Sequence, residues 1–248
     1  MNYAIVLAGG VGQRFGNKEV AKQFVKLTGV PMIVYSLQIA EKNDNIDEVC
    51  VVVDNKMLDN VKAWTQEYNI TKVKYYAPPG IERQQSVYHG LEAIPAKGRD
   101  TVLIMTSVCP FVSQKTIDKH YEVIEKYDAS ITVVKATDAI TFSNDGKRVN
   151  RTLQKRMLYL QQGPQLFRYG ILKLGHKAYM EDEVYSKTDV TEDSELVLNI
   201  GVECYMVMGD RFCIKVTYPE DLAIAEALHP LFISQEEEYS KQKVEKYE

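Results

Sequence analysis

Tyr3-Ala4-Ile5-Val6-Leu7-Ala8-Gly9-Gly10-Val11-Gly12-Gln13-Arg14-Phe15-Gly16 begins as an unbroken apolar run and ends in glycines. A strand with apolar side chains on both faces needs cover on both faces, which is the situation inside a parallel sheet sandwiched between helices. The glycines then let the chain turn sharply and bring its backbone N–H groups toward a ligand. Glu48 to Val53 (EVCVVV) repeats the buried-strand pattern, and Thr101 to Met105 repeats it again.

Between these runs the apolar spacing changes to three and four residues, the helical period. Ile33, Leu37 and Ala40 mark a helix from Met32 to Lys42 that opens on Pro31, a residue suited to a first turn. Leu58, Val61, Trp64 and Tyr68 mark the next, over Lys56 to Tyr68. Lys72 to Tyr76 reads as a strand and Ser86 to Ile94 as a helix. Ser113 is suited to cap a helix reaching Tyr127, and Ser130 to Val134 is a further strand. Alternation of this kind predicts an α/β fold: one Rossmann-like, mostly parallel sheet with helices on both faces and right-handed crossovers. Ligands in such sheets bind beyond the carboxyl ends of the strands, so the loops after Ala8, Tyr76 and Met105 are where chemistry is expected.

The alternation breaks from Asp138 to about Tyr159, where the turn signal Ser143-Asn144-Asp145-Gly146 separates two short β-like stretches. This predicts a β-arm projecting from the sheet. Helix resumes around Tyr169 to Tyr179. A polar loop, a helix, a strand over Cys204 to Met208 and a strand ending at Thr217 follow. Pro219 starts a last helix, Glu220 to Leu228. With no repeat or low-complexity linker, one domain over 1–230 is expected, and the polar stretch 231–248 reads as a solvated or frayed helix without assigned function.

The chain has 248 residues, with 30 basic against 34 acidic side chains, for a formal charge of −4. That balance lacks the basic footprint of a nucleic-acid or acidic-membrane partner. No apolar run approaches the ~18 residues that span a bilayer, and the N-terminal run has neither a basic leader nor a cleavage signal. Cys50, Cys109, Cys204 and Cys213 form no C-x-x-C pair and read as free thiols of a reduced, cytoplasmic protein.

The glycine turn is not a P-loop, since G-x-x-x-x-G-K-[ST] is missing, and Phe15 stands where a dinucleotide fingerprint has its third glycine. Its distinguishing feature is the cationic pair downstream, Arg14 and Lys22. An arginine and a lysine around such a turn can hold a polyphosphate and neutralise charge that develops on a phosphorus under attack.

The pattern L-A-G-G-x-G-x-R-x-G…K-Q-F resembles the sugar-nucleotidyltransferase superfamily. More narrowly it resembles the cytidylyltransferases acting on methylerythritol 4-phosphate and ribitol 5-phosphate. Further blocks follow in order: Gly80-Ile81-Glu82-Arg83-Gln84-Gln85-Ser86-Val87, Ser107-Val108-Cys109-Pro110-Phe111, Gln162-Gly163-Pro164-Gln165-Leu166-Phe167, Thr188 to Asp193, and Ile214-Lys215-Val216-Thr217-Tyr218-Pro219-Glu220-Asp221. The resemblance spans roughly residues 2–228 and implies a set of roles. Leu7, Ala8, Gly9 and Gly10 would present backbone to CTP. Arg14 and Lys22 would stabilise the pentavalent phosphorus, and Lys215 would orient the incoming phosphate. Gly80, Arg83 and Ser86 would contact the cytidine, while Lys155, Thr191, Thr106 and Cys109 fall at acceptor positions. It implies CTP and a small phosphorylated polyol as partners, a divalent cation (Mg²⁺) as cofactor, and a homodimer that exchanges its arms.

Read without the resemblance, Arg83 and Ser86 fit a surface residue and an N-cap, Lys215 fits a solvent-facing strand residue, and Lys155-Arg156 fits a solvated face. The pattern also departs from the family. Thr106 replaces an aspartate used near the metal, Cys109 an arginine that would clamp the acceptor, and Cys213 an asparagine. Ala139 and Gly163 replace threonines, and Lys155 an arginine. A hydroxyl brings no negative charge to a hard cation, and sulfur cannot imitate a bidentate guanidinium. The metal ligand is therefore open between Asp210 and the pair Asp189 and Asp193. Gly9-Gly10 and Ser107-Val108 favour the ribitol 5-phosphate branch. Methylerythritol 4-phosphate as acceptor, or a degenerate CTP-binding module with little turnover, are the alternatives.

Overall fold

The computed structural model describes residues 1–10, 21–182 and 190–245. Its main sheet contains β1 (Asn2–Leu7), β4 (Glu48–Val52), β5 (Val73–Ala77), β6 (Thr101–Thr106), β7 (Ala129–Lys135), β10 (Tyr159–Arg168) and β11 (Tyr205–Met208). Their spatial order is β11-β7-β10-β6-β1-β4-β5. β1 lies between β4 and β6 and is parallel to both. Only β10 among these strands runs antiparallel to its neighbours.

Consecutive side chains of β1 point to opposite layers, as a pleated strand requires. Ala4 and Val6 enter one core with Ile33 and Leu37 of α1 (Met32–Lys42), Val61 of α2 (Asn55–Glu67), and Ile117 and Tyr121 of α4 (Gln114–Ile124). Tyr3 and Ile5 enter the other with Val87 and Leu91 of α3 (Arg83–Ala93), Leu172 of α5 (Tyr169–Glu181) and Val197 of α6 (Asp193–Asn199). The double burial that the apolar run requires is thus met by three helices on each face. Ser113 caps α4 as its sequence position suggests, its Oγ accepting from the Thr116 N–H at 3.3 Å.

Four features differ from the sequence reading. First, β10 crosses a stretch whose strand signal is interrupted by Gly163-Pro164. Proline has no N–H for the ladder, and the register shifts there between Gln162 and Gln165. Second, Lys26–Leu27 and Val30–Pro31 form a two-residue ribbon, β2 and β3, too short to show a period. Third, the segment carrying Lys215, read as a strand, joins no ladder. Individual hydrogen bonds hold it instead: Val216 N–H donates to the Val108 carbonyl at 2.9 Å, and Gln162 Nε2 of β10 donates to the Cys213 carbonyl at 3.0 Å. Fourth, the last helix does not stop at Leu228. α7 runs Pro219–Glu245 through Pro230 and across the expected boundary at residue 231.

Tertiary contacts hold α7 together beyond the proline. Phe232 is buried against Phe111, their rings 5.1 Å apart. Farther along, Tyr239 Oη donates to Asp118 at 2.9 Å, and Lys243 lies 3.2 Å from the same carboxylate. The polar tail is therefore docked helix. The arm is as expected: β8 (Thr141–Phe142) pairs antiparallel with β9 (Arg151–Thr152), and both are exposed. No helix among the described residues is long and apolar enough to cross a membrane.

Candidate active site

The loops after β1, β5 and β6 come together at the carboxyl edge of the sheet, where the parallel topology places a ligand. Ser107 ties two of them, its N–H and its Oγ both donating to the Leu7 carbonyl, at 3.1 and 2.7 Å. Ala8 is held to β4 through Val52 at 2.8 Å. Gln23 is buried, and its Nε2 donates to the Ala8 and Gly10 carbonyls at 2.7 and 2.8 Å, pinning the turn from behind. With those carbonyls engaged, the turn's N–H groups are its natural anion-facing side. Gly10 is exposed with open space around its Cα.

The post-β5 loop is built as tightly. A Cβ on Gly80 would fall 2.2 Å from the Gln85 Cβ, so only glycine fits. Gly80 N–H donates to Ser86 Oγ at 2.9 Å, and that hydroxyl donates to the Glu82 carbonyl at 3.1 Å. Ser86 thus shapes the loop from inside the first turn of α3. The N-cap position is Glu82, which makes no side-chain cap bond. α3 starts at Arg83, three residues earlier than the periodicity indicated.

Two of the expected cations converge. Lys22 Nζ donates to the Val216 carbonyl at 3.3 Å, which brings it beside Lys215, and Lys215 is exposed at the edge of the site. Both lysines act electrostatically on Cys109, which is buried and hydrogen-bonded to Cys213. That bond, helped by the lysines against the cost of burial, pulls the Cys109 thiol below its ordinary range. The same bond and burial push Cys213 well up, and its Sγ also reaches the Gly163 carbonyl at 3.3 Å. Cys109 and Cys213, 104 positions apart in the numbering and unlinked by any sequence pattern, are thus neighbours. Each stands at a departure from the family pattern, but no sequence signal pairs them.

Arg83 reaches toward α6. Its Nη2 lies 2.6 Å from Asp193 Oδ2 and 3.4 Å from Glu192 Oε2. The carboxylate of Asp193 is buried and also contacts His176 Nε2 at 3.0 Å. Burial would raise the Asp193 carboxyl, but Arg83 and His176 outweigh it and hold the group well below the usual carboxylate range. Asp193 is therefore committed to a buried ion pair, which corrects its candidacy as a metal ligand. Asp210 is similarly engaged, accepting from the Phe212 and Cys213 N–H groups at 2.9 and 3.2 Å. Among the described residues no cluster of three or more His, Cys, Asp or Glu side chains could hold a metal.

Other expected positions lie apart. Thr106 ends β6, its carbonyl accepting from the Cys109 N–H at 3.0 Å. Thr191 is exposed just before α6. Lys155 sits at the base of the arm, its Nζ donating to the Thr137 carbonyl at 3.0 Å. Arg14 and Asp189 fall outside the described residues. A separate open cleft of about 1740 Å³ lies between α7 and helices α1 and α4, with Tyr35, Gln114, Asp118 and Phe232 in its walls. None of the expected site residues lines it.

The family model described as IspD, 2-C-methyl-D-erythritol 4-phosphate cytidylyltransferase, matches residues 2–229. The chain belongs to this family. It is accordingly a nucleotidyltransferase, and its activity is cytidylyl transfer. A 2-C-methyl-D-erythritol 4-phosphate cytidylyltransferase of Clostridioides difficile is 35% identical over 92% of this chain and 93% of its own length. The enzyme of the same name from Geotalea uraniireducens is 33% identical over 90% and 94%. Among solved structures, the 4-diphosphocytidyl-2C-methyl-D-erythritol synthase of Anaerococcus prevotii superposes with a TM-score of 0.79. It is 25% identical and is matched over 92% of this chain and 95% of that one. The Francisella tularensis cytidylyltransferase superposes at 0.75, with 26% identity over 91% and 98%. These relatives carry the methylerythritol name, not the ribitol one.

Proposed function

We propose that this IspD-family cytidylyltransferase joins CTP to 2-C-methyl-D-erythritol 4-phosphate and releases pyrophosphate, acting as a cytoplasmic homodimer. The supporting observation is the match over residues 2–229, together with relatives of 35 and 33% identity that bear this activity in their names. Gly9-Gly10 and Ser107-Val108 favour ribitol 5-phosphate as acceptor, but two dipeptides weigh less than likeness along the whole chain.

In the proposed reaction a phosphate oxygen of the acceptor attacks the α-phosphorus of CTP in line. The new P–O bond forms as the bond from the α-phosphorus to the bridging oxygen breaks, and pyrophosphate leaves with the electron pair. The attacking phosphate is already ionised near neutral pH, so positioning and charge neutralisation suffice. The N–H groups of Gly9 and Gly10 receive the triphosphate. Lys22, with Arg14, neutralises the phosphorus under attack, and Lys215 aligns the acceptor phosphate. Gly80, Arg83 and Ser86 form the cytidine side, where fixed polar groups reject a wrong base by leaving it unpaired.

Magnesium seeks one or two carboxylates plus substrate phosphates. Thr106 offers a neutral hydroxyl, Asp210 serves its own turn and Asp193 serves Arg83. The described residues do not fit a protein-held magnesium site, and no step is routed through one; an ion carried on the triphosphate belongs to the substrate. Lys155, Thr191, Thr106 and Cys109 remain the acceptor-side residues. The arm supports the dimer, because it exposes Val149 (65%) and Met157 (70%) beside Lys155.

Pyrophosphate release measured with CTP and either methylerythritol 4-phosphate or ribitol 5-phosphate tests the acceptor. Turnover with the first and little with the second is expected. The reverse preference overturns the acceptor assignment, and CTP binding without turnover on either indicates a binding module.

A further inference from the structure

Arg83 meets more negative charge than it carries. Asp193 contacts Nη2 directly and Glu192 stands 3.4 Å away, so the local sum of one guanidinium and two carboxylates is negative. A cation placed to neutralise a triphosphate would not be covered in this way. The second terminal nitrogen, Nη1, is shielded from water and has no partner among the described residues. An unsatisfied buried donor is costly, and its natural complement is an uncharged acceptor oxygen, such as those of a pyrimidine carbonyl or a ribose.

Asp193 is built to hold that donor still. It is the first residue of α6 and wholly buried, and its two carboxylate oxygens divide their contacts, Oδ2 to Arg83 and Oδ1 to His176. His176 is itself wholly buried on α5. Because the carboxylate can only accept, the network assigns the proton of the His176 ring to Nε2. The end of α6 is anchored too: Ser194 N–H donates to Gln165 Oε1 at 3.2 Å, and Gln165 Nε2 donates to Glu192 Oε2 at 2.6 Å. A long guanidinium side chain on an unpaired helix start would sample many rotamers, and these contacts leave it one.

We propose that Asp193 and His176 are positioning residues for nucleotide selection: His176 fixes Asp193, and Asp193 fixes Arg83 beside the Gly80 loop that takes the nucleoside half of CTP. This rests on the reading of Arg83 as a cytidine contact. Neither positioning residue touches substrate.

Calorimetric titration with CTP and with inorganic tripolyphosphate separates the outcomes. Asp193→Asn and Arg83→Met are each expected to weaken CTP binding by about tenfold or more and to leave tripolyphosphate affinity unchanged. The double variant is expected to bind CTP no worse than Arg83→Met alone, because the carboxylate acts only through the guanidinium. His176→Gln keeps a donor for Asp193 and should retain CTP affinity, whereas His176→Leu should lose it. The histidine pair decides the matter if Asp193→Asn fails to fold. Equal loss of CTP and tripolyphosphate affinity in Asp193→Asn overturns the proposal in favour of general structural damage. So does wild-type CTP binding by Asp193→Asn while Arg83→Met is weakened, or an additive loss in the double variant. A wild-type protein that binds neither ligand overturns the underlying reading of the nucleotide site instead.

Discussion

Gly9 lies so close to Pro79 that a Cβ on the glycine would sit 2.2 Å from the proline Cβ. The two residues belong to the loops after β1 and β5, and their contact sets the width between the triphosphate turn and the Gly80 loop. Neither proline ring nor backbone can yield by an ångström without moving a strand end. Gly9→Ala should therefore separate the loops, lower stability by about 1–3 kcal/mol as overpacking generally does, and weaken CTP binding. Thermal melts and CTP titration check this; a variant with wild-type melting and affinity would show that the loops adjust freely.

Lys22 and Lys215 approach the same point from distant parts of the chain, Lys22 through its bond to the Val216 carbonyl. If their charge stabilises the phosphorus under attack, Lys22→Met and Lys215→Met should each lower kcat by about a hundredfold, the usual effect of removing one such group. The expected change in KM for CTP is smaller for Lys215→Met, since that lysine is assigned to the acceptor phosphate. Steady-state kinetics with each substrate varied in turn separates the two. Unchanged kcat in either variant refutes the assigned role of that lysine.

The reach of the sequence differs from element to element. β1 and β4 are legible because residues buried on both faces must be apolar throughout, and no helix with a polar face reads that way. Gly163-Pro164 hides β10 by interrupting both its period and its ladder. The sequence of α7 signals an end at Leu228, because the residues beyond it are polar and Pro230 marks a stop. What holds that end is a set of distant partners, Phe111, Gln114 and Asp118, that no local window contains. The same limit applies at the site. The glycine turns are visible because glycine has few other reasons to recur after a strand. The hold of Asp193 on Arg83 joins residues 110 positions apart and has no sequence signature.

Cys109 and Cys213 offer a chemical test of the site's geometry. Contact with Cys213, with the neighbouring lysines adding to the effect, makes the Cys109 thiol ionise more readily than an ordinary one. Cys50 is buried among apolar side chains and pushed up to about 12, and Cys204 is pushed up to about 11. Because the thiolate is the reactive form, limited alkylation of the folded protein near pH 8 should label Cys109 ahead of Cys50 and Cys213. The label would sit beside Lys22 and Lys215, so turnover should fall in step with it. Peptide mapping of the alkylated protein reads the order, and labelling of Cys50 before Cys109 would contradict the arrangement.

His120 sets an acid limit on the fold. The ring is fully buried between α4 and the sheet, with Nδ1 2.7 Å from Ser130 Oγ and Nε2 2.7 Å from Thr132 Oγ1. Burial penalises the imidazolium and brings the pKa down to about 3, against about 6.5 for the unfolded chain. The sign follows from linkage. Below pH ~6.5 the unfolded state takes up a proton that the folded state refuses until about pH 3, so stability is full above that range and falls as the pH drops through it. Between those limits the His120 contribution should decline by about 1.4 kcal/mol per pH unit. His120→Gln keeps a donor and an acceptor for the two hydroxyls but does not titrate. Urea unfolding at a series of pH values from 7 to 4 should show a clearly shallower decline for the variant than for the parent. Parallel declines would mean that the ring charges in the folded state without penalty, and that its two hydroxyl partners accommodate an imidazolium.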